Sequence, residues 1–128
     1  MVMEMKMPAN IDRRIINLTP HEIVVLNLRG ERVAFPPSGT VARVGVTTTP
    51  DGVFDSDEPV GVFQVSRQAF GEVEGLPGYD PDSPNRYIVS AMVLGALSGS
   101  RPDVVAPDTG STALRENGRI IAVRGFVR

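Results

Sequence analysis

Apolar residues along this chain fall in short runs with a period near two, separated by turn formers. Residues 14–18 (RIINL) and 22–28 (EIVVLNL) are dense in Ile, Val and Leu, side chains that suit a pleated, half-buried surface. Pro20 stands between them in the turn NLTPHE, since proline cannot donate to a ladder. Arg29-Gly30 divides IVVLNL from ERVAF, which predicts a tight hairpin with Gly30 at positive φ. Pro36-Pro37-Ser38-Gly39 ends that strand. Residues 40–49 (TVARVGVTTT) and 60–66 (VGVFQVS) alternate as strands do. Between them, 50–59 (PDGVFDSDEP) reads as an acidic, turn-rich flap. GEVEG, 71–75, reads as a short polar strand. The loop LPGYDPDSPNR, 76–86, is long enough to carry function.

The pattern changes at YIVSAMVLGALSGS. Tyr87 to Val89 can finish a strand, Ser90 can cap a helix, and Ala91 to Leu97 contains good helix formers. Ser98-Gly99 suits the helix end. Near the C-terminus, Asn117-Gly118 lies between two apolar runs, the strongest short-range hairpin signal. It predicts a hairpin from about Ala113 to Phe126, with IIAVRGF as a well-buried strand. The expected fold is mostly β (α+β): one compact antiparallel sheet or barrel-like domain over 13–128, with one short helix near 90–98. Residues 1–12 are expected to be a partly ordered leader.

Composition narrows the chemistry. A chain of 128 residues matches one domain. Its 13 basic and 15 acidic residues give a net charge of −2, which argues against a nucleic-acid partner, since that needs a basic surface. There is no cysteine and one histidine, His21. Thiolate nucleophiles, cysteine metal sites and multi-histidine metal sites are therefore excluded within one chain. No metal or cofactor is expected. The absence of cysteine makes a reducing cytoplasm the expected location, and the start MVMEMKMPAN has no apolar stretch long enough for a signal peptide or membrane span.

Three polar clusters are candidate binding sites. The first is RPDVVAPDTGSTALR, which gathers Arg101, Asp103, Asp108, Thr109, Gly110, Ser111, Thr112 and Arg115. N–H groups around Gly110 can form an anion nest, the two arginines can clamp a phosphate, and the aspartates can hold ribose hydroxyls. The alternative is a loop whose side chains satisfy its own backbone. The second is the NLTPHE turn with Asn17, Thr19 and His21. His21 is the one available imidazole base, with a turn residue as the plainer reading. The third is the loop from Tyr79 to Arg86, two side chains able to stack on a base or ring. Glu72 and Glu74 alternate on a strand and read as a solvated face.

The succession NLTPHEIVVL, PPSGTVARV, GEVEGLP, YIVSAMV, RPDVVAPDTG and RIIAVRGF resembles a widespread family of small phage- and prophage-associated proteins, from Ile16 to Phe126. The resemblance brings no catalytic residues. It implies a stand-alone domain of viral or prophage origin and, by class, three functions. The first is a non-enzymatic anti-defence sponge that sequesters a small phosphorylated or nucleotide-derived signal of cyclic nucleotide or cyclic ADP-ribose type, as a homo-oligomer. The second is a virion structural or assembly protein. The third is a small hydrolase using His21.

Overall fold

The computed structural model describes residues 15–55 and 60–128. The leader expected at 1–12 and part of the acidic flap therefore lie outside the described residues. The order of elements is β1 (Ile15–Asn17), β2 (Ile23–Leu26), β3 (Arg32–Phe35), β4 (Arg43–Asp55), β5 (Val62–Glu74), β6 (Arg86–Ile88), α1 (Ala91–Leu97), β7 (Val104–Pro107), β8 (Leu114–Glu116), β9 (Arg119–Ala122) and β10 (Phe126–Val127). The domain is mostly β with one short helix, as the patterning predicts.

The central sheet has the order β10-β7-β6-β1. It is mixed, not purely antiparallel: β6 runs parallel to both β1 and β7, and β10 is antiparallel to β7. Parallel strands need cover on both faces, and β6 has it, with Ile88 and the following Val89 wholly buried. Three antiparallel hairpins surround this sheet: β2–β3, β4–β5 and β8–β9. A bridge from Val25 to Val123 joins the first hairpin to the third. No closed barrel forms among the described residues.

The local signals act as their chemistry requires. The Ser90 hydroxyl accepts the Val93 N–H at the start of α1, and Ser98 ends the helix in the left-handed region. Asn117 and Gly118 both have positive φ, as a two-residue hairpin turn of the primed type demands. The strand after that turn is less buried than its composition suggests. Ala122 and Val123 are inside, but Ile120 and Ile121 remain 40% and 38% exposed.

The core has two parts. Leu18, Ala42, Tyr87, Val89, Val93 and Val104 form the larger, with Val44, Val73, Leu76 and Leu97 packed against it. Val25, Ala113 and Val123 form the smaller, flanked by Phe35 and Phe126, whose ring centroids are 6.3 Å apart. Val44 and Val73 sit near the root of the β4–β5 hairpin and tie it to the larger core.

That root is also fixed by backbone contact. Gly75 has φ +82, and a Cβ there would strike the Val41 carbonyl. Gly75→Ala is expected to destabilise the fold by about 1–3 kcal/mol, read as a fall in the denaturant midpoint at unchanged slope. An unchanged midpoint would show that the root can move aside.

Candidate functional site

The NLTPHE turn is built to satisfy itself. Asn17 is only 2% exposed. Its Nδ2 donates to the His21 and Phe35 carbonyls at 2.8 Å each. Its Oδ1 accepts the Thr19 N–H at 2.9 Å and lies 2.7 Å from Thr19 Oγ1. That hydroxyl is also 3.0 Å from the His21 carbonyl, and its single proton serves one acceptor at a time. The His21 contribution is thus its backbone oxygen, while the residue itself is exposed.

The segment 101–115 divides into two unrelated parts around β7. In the first, Asp103 is 6% exposed and receives Arg101 at both oxygens, Nε to Oδ1 at 3.0 Å and Nη2 to Oδ2 at 2.9 Å. Arg101 Nη2 also donates to the Pro77 carbonyl at 2.7 Å. Its guanidinium carbon stands 5.7 Å from the Tyr79 ring centroid. One arginine therefore ties the loop 76–86 to the end of α1 and the start of β7.

In the second part, Asp108 Oδ1 accepts the Gly110 N–H at 3.1 Å. Arg115 donates to the Gly110 and Thr109 carbonyls at 3.3 and 3.2 Å. Arg124 Nε donates to the Thr112 carbonyl at 3.1 Å, and Ser111 and Thr112 lie exposed on this turn. The anion nest expected at Gly110 is thus already occupied by Asp108. The expected clamp is not assembled either, because Arg101 and Arg115 hold different backbone carbonyls.

The Tyr79–Arg86 loop does meet the first part. Asp80 Oδ1 caps the Asp82 N–H and Ser83 Oγ accepts the Asn85 N–H, at 3.0 and 3.2 Å. These tight turns fold the loop over Asp103. The result is a cleft of about 70 Å³ where Tyr79, Ser83 and Arg86 face Asp103 and Asp80. An adjoining cavity of about 230 Å³ shares Asp80, Ser83 and Asp103. Among the described residues, the hydrogen bond of the Arg86 side chain goes to the Asn85 carbonyl, through Nη1. The arginine over Tyr79 is Arg101, not Arg86, a pairing that the spacing of the two loops along the chain conceals.

The largest unaccounted surface is the β4–β5 ribbon. Sequence patterning divides it into a strand (40–49), a flap (50–59), a second strand (60–66) and a short polar strand (71–75), but it is one hairpin of two 13-residue strands. The turn-like Pro50-Asp51-Gly52 is a bulge: register shifts between Pro50 and Val53, and Gly52 has φ +89. The run VFQVSRQAF, which holds Val and Phe and no Gly or Pro to end a strand, is the signal that could have revealed the ribbon. Its two strands carry half of the exposed large apolar side chains of the described residues. Val53, Phe54 and Val62 are 66%, 65% and 61% exposed, joined by Val46, Phe63, Val65 and Phe70. Arg67 pairs with Asp51 across the ribbon at 3.2 Å, an exposed bridge of little energetic weight.

No group of three metal-ligating side chains occurs among the described residues. No helix among them is long and apolar enough to cross a membrane. Comparison of the chain with family models, curated proteins and solved structures finds no match to any of them.

The Arg101–Asp103 pair has a pH signature. Its hydrogen bond holds the Asp103 carboxyl below the usual carboxylate range, against the desolvation that would raise it. A depressed folded pKa gives stability that is fully present above about pH 4, the unfolded value, and is lost as pH falls through the folded value. Asp103→Asn is expected to cost about 3 kcal/mol at pH 7 by leaving Arg101 without its counter-charge. The variant should also lose less further stability below about pH 4 than the native chain. Thermal unfolding from pH 7 to pH 2 checks both, and parallel curves for the two proteins would refute the pairing.

Proposed function

We propose that this protein is a non-enzymatic assembly protein that works by docking its β4–β5 ribbon onto another protein surface. The observation that carries this reading is the exposed apolar tip of the ribbon: Val53, Phe54, Val62 and Phe63 are 48–66% exposed. A two-stranded ribbon alone is marginal in water, and clustered exposed apolar side chains mark interaction sites. The resemblance to phage-associated proteins favours a role in a virion. The test places a photo-crosslinking amino acid at Phe63, and at exposed Leu28 as control, in cells carrying the native gene. An adduct of one defined mass is expected at 63 and not at 28, and Val53→Ser with Phe54→Ser should remove it. Equal, diffuse labelling at both positions would sink the reading.

A second reading has its own support. Tyr79, Ser83 and Arg86 meet over Asp103, an aromatic face, a hydroxyl, a cation and carboxylates suited to the base, phosphate and ribose of a nucleotide-like ligand. This is the sponge class, a cytoplasmic anti-defence role. The cleft and its neighbour are each below the roughly 300 Å³ of an ordinary ligand pocket, and the arginines expected as a clamp are engaged elsewhere, so the assembly reading ranks first. Calorimetry with cyclic nucleotides and cyclised ADP-ribose decides it. Binding weakened about tenfold or more by Arg86→Ala supports the sponge; no heat with any of them removes it for those ligands.

A further inference from the structure

The two edges of the β4–β5 ribbon are not alike. Among the described residues β4 and β5 pair with each other and with no other strand, so each has an unpaired outer edge. The β4 edge is interrupted by Pro50, which has no N–H to give, and by the bulge at Asp51 and Gly52. On β5 the residues 62–70 alternate without an extra residue, because the bulge of that strand lies at Gly71 and Glu72, opposite Gly45. The stretch, VFQVSRQAF, has no proline or lysine to discourage a neighbouring strand. Thr47 Oγ1 donates to the Ala69 carbonyl at 3.4 Å, which puts the Ala69 backbone groups on the β4 side. By alternation, Val62, Gln64, Ser66, Gln68 and Phe70 turn their N–H and C=O groups outward. None of these groups bonds to another element among the described residues.

We infer that this edge pairs with the same edge of a second copy, antiparallel, about a two-fold axis at Ser66. The bulge-free stretch fixes the axis, because a two-fold at its midpoint brings all of 62–70 into the pairing. The side chains of the strand select its own copy as the partner. On one face Val62 comes opposite Phe70 of the other copy, Gln64 opposite Gln68, and Ser66 opposite Ser66. On the other face Phe63 comes opposite Ala69, and Val65 opposite Arg67. Each phenylalanine thus meets a smaller apolar side chain, and each glutamine amide meets another that can both donate and accept. Arg67 is the one charged side chain of the stretch. It meets Val65 and not its own counterpart, and Asp51 of its own ribbon already balances it. The tip of each ribbon lies beside the root of the other. There the exposed Val62 gains Phe70 and, one strand further, Val46, while the exposed Phe54 and Phe63 are continued by Ala69. This inference rests on the assembly reading above and names its partner. The contact is isologous, so it closes at two copies and converts two ribbons, each marginal alone, into one four-stranded sheet. Main-chain bonds supply the affinity and the opposed side chains the register.

The test reads register as well as association. The chain has no cysteine, so one introduced thiol reports on one position. Ser66→Cys stands on the axis, where opposed Cα atoms lie about 5.5 Å apart, within reach of a disulfide. Mild oxidation is expected to give a covalent dimer. Gln64→Cys is the control. The two copies of residue 64 lie four residues apart along the paired strands, about 13 Å, and should stay unlinked. Sedimentation over a wide concentration range is expected to show the native chain as a dimer. Ser66→Pro removes an outward N–H and spares the ladder inside the ribbon, so it should weaken association at least about tenfold. Circular dichroism confirms that this variant is folded; if it is not, Gln68→Pro replaces it. Equal crosslinking at 64 and 66, or a proline variant that associates like the native chain, overturns the inference. A native chain that stays monomeric while Phe63 crosslinks to a different protein overturns it too, but leaves the assembly reading standing. Absence of any defined adduct at Phe63 removes both.

Discussion

The parallel pairing of β6 with β1 on one side and β7 on the other is the constraint around which this domain is arranged. Strands paired that way need cover on both faces and crossover connections between them. The crossover from β6 to β7 is α1, only seven residues long, which places Val93 against the buried Val89 and Val104. The crossover from β1 to β6 is everything from Leu18 to Asn85, and it contains two hairpins. The ribbon is thus an insertion into a parallel connection, rooted on the core through Val44 and Val73 and otherwise outside it.

That topology explains what the sequence discloses and what it conceals. The Ser90 cap, the Ser98-Gly99 stop, the Arg29-Gly30 turn and the Asn117-Gly118 turn depend on neighbours a few residues away, and all are legible. The parallel ladder depends on pairing Tyr87 with Ile16 and Val104, and no local pattern encodes such distances. The ribbon was hidden for another reason. Pro50, Asp51 and Gly52 have turn chemistry, yet here they form a bulge that keeps the strand going, because Gly52 can take positive φ without ending the pairing.

The candidate site was legible as residue types and illegible as partnerships. Asp, Asn, Ser, Thr and Arg in loops signal either a ligand or a backbone in need of partners. Asn17, Thr19, Asp108 and Arg115 answer the second need. Arg101 and Asp103 do so as well, two residues apart in sequence and reaching to Pro77 from a distant loop. The cleft that remains, at Tyr79, Ser83 and Arg86, is formed where this bracing brings two loops together. The ribbon has little such polar scaffolding, an exposed Arg67–Asp51 bridge among it, and its apolar side chains stay exposed.

The two register shifts in the ribbon, one near its root and one past its middle, carry a geometric consequence. Each bulge adds to the right-handed twist that paired strands already have. A surface that winds as it extends changes the direction it faces along its length. A one-residue deletion at either bulge would therefore turn the apolar tip relative to the core, even if it left every apolar side chain in place.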